Sequence, residues 1–370
     1  MLYVRSRLVM FLAMSVIGWA QDGPSVPGDG AALKGPTPPE ATTGRSFPVD
    51  VAGYVSFRYF NDDAFNEHHF YRDYSASLFL SKSVGRWRFH SELNADTAPE
   101  YTAEGIPLLP ERPSLSVKLD SAFVNYNWRD GLQFQGGLLF IPTYWRTHRY
   151  QSTTLTVDEP LIDQTVFPTA LRGGALYGEK FWGDGGVSYI VYAGIDQQAQ
   201  FIEGTQSILN EQARVAGGKL TVHLPTRQFL TTFDIAIHRL QRITSDGLPD
   251  ELYAAELHLG KNRLEVLGEF EHASLDLVHG VRTFMRQGYY VQPSWRLNPR
   301  LFAVARYDRL DRDSRYADQS SLTRQSMGLT FHPIPAISLK IEADRYEPEG
   351  GLIPAYYGVT AAAVWFFHRP

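Results

Sequence analysis

The sequence predicts an all-β fold: a single antiparallel transmembrane β-barrel of about sixteen strands, with short turns at one end and long loops at the other. Three observations carry that prediction. Between residues 51 and 367, segments of roughly ten residues alternate apolar with polar side chains. The breaks between these segments are by turns short and long. Aromatic residues make up 13% of the chain, while the mean hydropathy is only −0.25, the average that results when wet and lipid-facing positions cancel. Side chains of a strand have period two, so each segment shows hydrocarbon to one side and water to the other. Hydrocarbon tolerates no unpaired strand edge, so such strands must close on themselves.

The first element is a processing segment. Arg5 and Arg7 supply a positive start, residues 8–20 are apolar and uncharged, and Gly18-Trp19-Ala20 places small residues before Gln21. The run is too short to span a bilayer and reads as a cleaved secretory signal. Its removal takes the 35 basic side chains to 33 against 40 acidic, net −7, a balance too modest and too evenly spread for a nucleic-acid partner. Residues 21–47 are rich in Pro and Gly and lack any period, so they read as a disordered leader before the barrel of residues 48–370. The absence of cysteine excludes disulfides and thiolate metal sites.

Four segments define the two faces of the barrel. Trp87, Phe89 and Leu93 alternate with Arg88, His90, Glu92 and Asn94. Phe229, Thr231, Phe233, Ile235 and Ile237 alternate with Gln228, Leu230, Thr232, Asp234, Ala236 and His238. Leu264, Val266, Gly268 and Phe270 alternate with Glu265, Leu267, Glu269 and Glu271. Ile337, Leu339, Ile341 and Ala343 alternate with Ser338, Lys340, Glu342 and Asp344. Short connections are expected at residues 83–85, 129–131, 182–185, 225–227, 261–263, 298–300 and 333–336, all of turn-forming composition. Long ones are expected at 61–70, 95–118, 141–171, 196–213, 240–250, 274–285, 313–322 and 347–357. Strict alternation puts all turns at one end, all loops at the other, and both termini with the turns. Aromatic residues near strand ends, among them Tyr54, Tyr74, Trp128, Tyr253, Tyr289, Trp295, Tyr307, Tyr346 and Trp365, are expected to form interfacial belts.

Residues 137–178 resemble the phosphate-selective porin O and P family. The likeness lies in Gly137-Leu138-Leu139-Phe140-Ile141-Pro142-Thr143-Tyr144 ending a strand, then Asp158-Glu159-Pro160-Leu161, Val166-Phe167-Pro168-Thr169 and the re-entry Arg172-Gly173-Gly174 with Gly178. The final strand, with Trp365 and Phe367, also looks like an outer-membrane insertion signal. The resemblance implies a pore in the bacterial outer membrane and, for the family's solute, an anion such as phosphate. It also implies membrane lipid as surroundings and a homotrimer as one assembly. The sequence departs from the family in lacking an arginine beside Asp158-Glu159-Pro160, in continuing to His368-Arg369-Pro370, and in showing no ladder of inward arginines and lysines. Fold and pore role carry over; the solute does not.

In a channel the chemistry is the charge around the narrowest part. Parity assigns Arg58, Arg86, Arg88, Lys219, Arg296, Arg306 and Lys340 to the lumen, with Glu92, Glu256, Glu265, Glu269, Glu271, Asp308, Glu342 and Asp344 opposing them. The third loop carries Arg146, Arg149, Asp158 and Glu159 and runs into Arg172; a loop of that length is expected to be functional, the resemblance to porins implies that it folds inward as the constriction, and an outward loop shielding the extracellular mouth is the competing reading. The function expected is passive diffusion of small hydrophilic solutes. A barrel plugged by its own loops, acting as a structural or adhesin-like protein, and an outer-membrane lipid hydrolase are the alternatives. No catalytic signature motif occurs, and no cofactor is expected. In Glu67-His68-His69 adjacent side chains of an extended chain point apart, which disfavours a metal site.

Overall fold

The structure, a computed structural model, describes residues 49–63, 69–97, 100–101, 107–108, 115–129, 131–143, 154–162, 170–201, 208–225, 232–243, 249–276, 283–312, 321–349 and 354–369. The segments read as signal and leader, the loop arginines Arg146 and Arg149, and Glu67-His68 lie outside them.

The alternating segments form β1 (Asp50–Asp62), β2 (His69–Val84) and β3 (Trp87–Asp96). A separate two-stranded ribbon, β4 (Glu100–Tyr101) and β5 (Pro107–Leu108), stands in the second long connection. The barrel resumes with β6 (Ser116–Arg129), β7 (Leu132–Phe140), β8 (Ala170–Trp182), β9 (Gly185–Phe201) and β10 (Ile208–His223). It continues through β11 (Thr232–Ile243), β12 (Pro249–Lys261), β13 (Leu264–Asp276) and β14 (Thr283–Asn298). It ends with β15 (Leu301–Arg312), β16 (Ser321–Ile334), β17 (Ile337–Glu349) and β18 (Tyr356–Arg369). Sixteen of these strands pair antiparallel in chain order, and β1 closes the sheet against β18 from Val51↔Arg369 to Asp62↔Gly358. That register leaves both ends of the barrel segment with the short turns. Closure satisfies every strand edge, which hydrocarbon requires. Among the described residues no helix is long and apolar enough to cross a membrane.

Tight hairpins need a left-handed residue. Gly85, Gly131, Gly183 and Asn262 supply it with φ of 60°, 79°, 61° and 54°. Strand pairing extends into expected connections, as at 240–250, where it runs to Ile243↔Pro249. Strands β9 and β10 stay paired out to Phe201↔Ile208, so the connection expected at 196–213 shrinks to 202–207. Consecutive polar residues such as Gln197 and Gln198, in register with Gln212 and Glu211, pair there without any alternation to betray them. The turn expected at 225–227 falls largely outside the described residues, which end at Pro225 and resume at Thr232.

The outer wall is sorted by ring type. Trp87, Trp128, Trp182, Trp295 and Trp365 stand exposed near the turn end, and Tyr74, Tyr253, Tyr289, Tyr307 and Tyr357 near the loop end. Amphipathic rings at two levels with Val55, Phe57, Ile235, Ile237 and Ile341 also exposed on that wall mark a lipid-facing band. Tyr54 and Tyr346 correct the expected belt: they lie on the inward parity and are 0% and 8% exposed. Tyr346 stacks on Tyr356 at 4.6 Å inside the barrel.

Candidate functional site

The connection between β7 and β8 turns back into the barrel. In its described stretch, 154–162, Thr156, Val157, Leu161 and Ile162 are buried. An irregular segment cannot pair its own N–H and C=O groups, so something else must. Here the inward side chains of the wall do so.

Arg306 on β15 is the hub. It donates from Nη1 to Thr156 Oγ1 at 3.0 Å and the Asp158 carbonyl at 2.9 Å, and from Nη2 to the Glu159 carbonyl at 3.5 Å. Its Nε reaches Asp308 at 2.9 Å, two residues along the same face, and its Nη2 reaches Glu342 at 3.4 Å. Arg324 on β16 donates to Asp308 at 3.1 Å and also to the Glu159 carbonyl. The two acids turn their other oxygens to the loop: Glu342 accepts from the Val157 amide at 2.6 Å, and Asp308 from the Leu161 amide at 3.2 Å. Thr330 donates to the Leu155 carbonyl at 2.6 Å, and Lys340 to Thr154 Oγ1 at 2.8 Å and the Thr156 carbonyl at 3.2 Å. From across the barrel seam Arg58 joins Asp73 at 3.0 Å to Asp158 at 3.1 Å.

The second half of the loop sits on an apolar wall. Leu161 and Ile162 belong to a buried cluster with Leu139, Ile141, Leu171, Leu240, Leu252, Tyr290, Leu310 and Leu322. The interior is therefore not polar throughout. Toward the loop end the inward positions of β11, β12, β15 and β16 carry leucine, because a loop packs there instead of water. Gly288 permits the approach: a Cβ there would lie 2.6 Å from Ile162 Cγ2 and 2.3 Å from the Arg309 carbonyl.

The sequence-assigned site residues divide accordingly. Arg58, Glu159, Arg306 and Lys340 come together at the loop. Arg88 and Glu92 lie on the inward row of β3, across from Ser83, Phe79 and Ser121 on the neighbouring strands. Lys219 on β10 forms an ion pair with Glu256 on β12 at 2.6 Å. Two residues are not in the lumen. Arg86 occupies the tight turn after β2, exposed, and donates to the Trp128 carbonyl at 3.1 Å. Arg172 falls on the outward parity of β8, because Leu171 and Ala175 are the buried positions there.

Three features escaped the sequence reading. Arg324 faces inward because exposed Met327, Leu329 and Phe331 fix the opposite parity, a signal legible in β16 itself. Arg242 joins Asp196 at 3.3 Å and Asp250 at 2.8 Å, all three deeply buried. Third, a hydrogen-bonded row crosses six strands near the turn end. Ser188 Oγ meets His223 Nε2 at 2.7 Å, and His223 Nδ1 meets Asp234 at 2.7 Å. Asp234 faces His258 at 3.6 Å, His258 meets Glu265 at 2.7 Å, and Ser294 reaches Glu265 at 3.5 Å. Only the strand register aligns these residues. Among the described residues no group of three His, Asp or Glu is disposed to hold a metal ion.

No protein-family model and no curated protein matches the sequence. The fold has solved counterparts. An anion-selective porin from Comamonas acidovorans matches with a TM-score of 0.58 at 11% identity, over 86% of this chain and 99% of that one. The outer-membrane channel DcaP of Acinetobacter baumannii gives 0.59 at 12%, over 86% and 97%. A trimer form of OmpT, an outer-membrane protein of Vibrio cholerae, gives 0.52 at 11%, over 87% and 100%. At such identities the likeness is one of fold: the chain has the architecture of the outer-membrane porins.

Proposed function

We propose that the protein is an outer-membrane porin, a passive channel for small hydrophilic solutes, with the turn end periplasmic, the loop end extracellular and the third loop as its constriction. One observation carries this: a closed barrel of lipid-facing exterior holds residues 154–162 inside by hydrogen bonds to its own wall. Recording in a planar lipid bilayer tests it. Discrete open steps are expected, and a silent membrane with folded, heat-modifiable protein would instead favour a plugged barrel. That second reading draws on the depth to which inward side chains are buried, with Glu92, Asn94 and Ser121 at 0% exposure.

An anion preference, phosphate included, is supported by the family resemblance and by the likeness to a porin described as anion-selective. Against it, Arg58, Arg306, Arg324 and Lys340 are committed to the loop and Lys219 to Glu256. We therefore assign a mixed, weakly selective lining, with Arg88 on its open side. Arg146 and Arg149 are the remaining candidates for an anion bias: replacing both by Glu should move the reversal potential under a salt gradient toward cations. A homotrimer is the proposed assembly, in line with the trimer form of the Vibrio cholerae protein, and native mass measurement in detergent tests it. N-terminal sequencing of the exported protein should begin at Gln21.

The hydrolase alternative has a specific observation to answer, the Ser188–His223–Asp234 row. It lies on the lumen face. Ser188 pairs with Thr221 in the strand ladder, so the neighbouring amides are already bonded and leave no donor pair for a tetrahedral oxyanion. The row ties strands together.

A further inference from the structure

Outward arginines near the loop end, Arg72 among them, differ in what stands beside them. Arg239, Arg309 and Arg345 stand in register with Tyr253, Tyr289 and Tyr357 of the tyrosine belt, and each has its own acid. Arg239 pairs with Glu251 at 3.2 Å and lies over the Tyr253 ring. Arg309 pairs with Glu349 at 2.9 Å, and Arg345 with Glu347. At headgroup depth the protein thus neutralises these charges itself.

Arg172 and Arg214 are different. Both are exposed, and both lie opposite Ile195, on either side of it, so their Cα atoms are two strand spacings, roughly 10 Å, apart on one outward row. Among the described residues no carboxylate pairs with either. The next outward row toward the membrane centre is Gly174, Ala193 and Ala216, all exposed, a shallow trough beside large exposed side chains such as Val191 and Ile237. Barrel packing does not demand the glycine. A Cβ on Gly174 would meet nothing closer than 3.5 Å, whereas one on its inward neighbour Gly173 would meet the Ala193 carbonyl at 2.0 Å.

We propose that Arg172 and Arg214 clamp the phosphorylated headgroup of an outer-leaflet glycolipid, with one of its acyl chains lying in the trough formed by Gly174, Ala193 and Ala216. Two guanidinium groups suit a phosphate because each offers paired donors and a charge that never titrates. The inference rests on the reading of this wall as lipid-facing, and conductance of the same preparations separates a failed lipid site from a failed barrel.

The test is native mass spectrometry of the full chain in non-ionic detergent, with bisphosphorylated lipid A as probe. Wild type should retain the lipid, and Arg172→Gln/Arg214→Gln should bind roughly thirtyfold more weakly, as loss of two headgroup contacts implies. Gly174→Leu should weaken binding with both charges intact, and Arg239→Gln should leave it unchanged. Equal binding by the double variant, an equal loss in Arg239→Gln, or equal binding of dephosphorylated lipid A would overturn the proposal. So would a change in the oligomeric state of the lipid-free double variant, because the face would then belong to a second copy of the chain.

Discussion

The two sides of the lumen share one alternation and use it differently. On the side of β15, β16 and β17 the inward positions are long and charged, and they reach the third loop: Arg306, Asp308, Arg324, Lys340 and Glu342 each hold part of its backbone. On the side of β2, β3 and β6 the inward row is short, with Ser75, Ser77, Glu92, Asn94 and Ser121. There Lys118 and Asp120 pair with each other at 3.5 Å across a register shift between Glu92 and Leu93. Inward charge is therefore of two kinds, charge that builds the constriction and charge that lines what the constriction leaves open.

The sharpest way to break this contrast is Arg306→Ala. It removes three donors to the loop and strands Asp308 and Glu342, a loss of about 3–5 kcal/mol for a buried ion-pair network. Higher single-channel conductance and protease cleavage within the third loop are expected while the barrel stays folded; unchanged conductance would show that the loop does not depend on this wall. Glu342→Gln keeps the shape but removes the charge that accepts from the Val157 amide, costing roughly 1.5–3 kcal/mol. Faster hydrogen exchange at that amide reads it out. Gly288→Val pushes on Ile162 from the apolar side, with an overpacking cost of about 1–3 kcal/mol. If exchange at the Leu161 amide stays as slow as in wild type, the glycine is not what admits the loop. On the opposite side Arg88→Gln, at a half-exposed inward position, should leave loop exchange untouched and move the reversal potential toward cations. A loop response there would merge the two sides into one.

Much of the barrel was legible because lipid writes period two into each strand. Phe89 and Leu93 outward and Glu92 and Asn94 inward follow from spacing alone, as do Ile341 outward and Glu342 inward. Legibility fails where polarity does not follow the strand period. The ends of β9 and β10 pair though their sequence does not alternate, and Leu240 and Leu252 turn inward because a loop, not water, meets them. Arg172 was misread for a related reason: it closes the family-like motif, but the parity of its strand is set by the buried Leu171 and Ala175.

Strand number, closure and the face of nearly every membrane-level residue belong to the sequence by itself, since a periodic solvent boundary leaves a periodic trace. The commitments of Arg306, Arg324 and Glu342, and the pairing of Arg172 with Arg214 about Ile195, exist only in three dimensions. They depend on residues more than a hundred positions apart or on cross-strand register, and no local pattern encodes either.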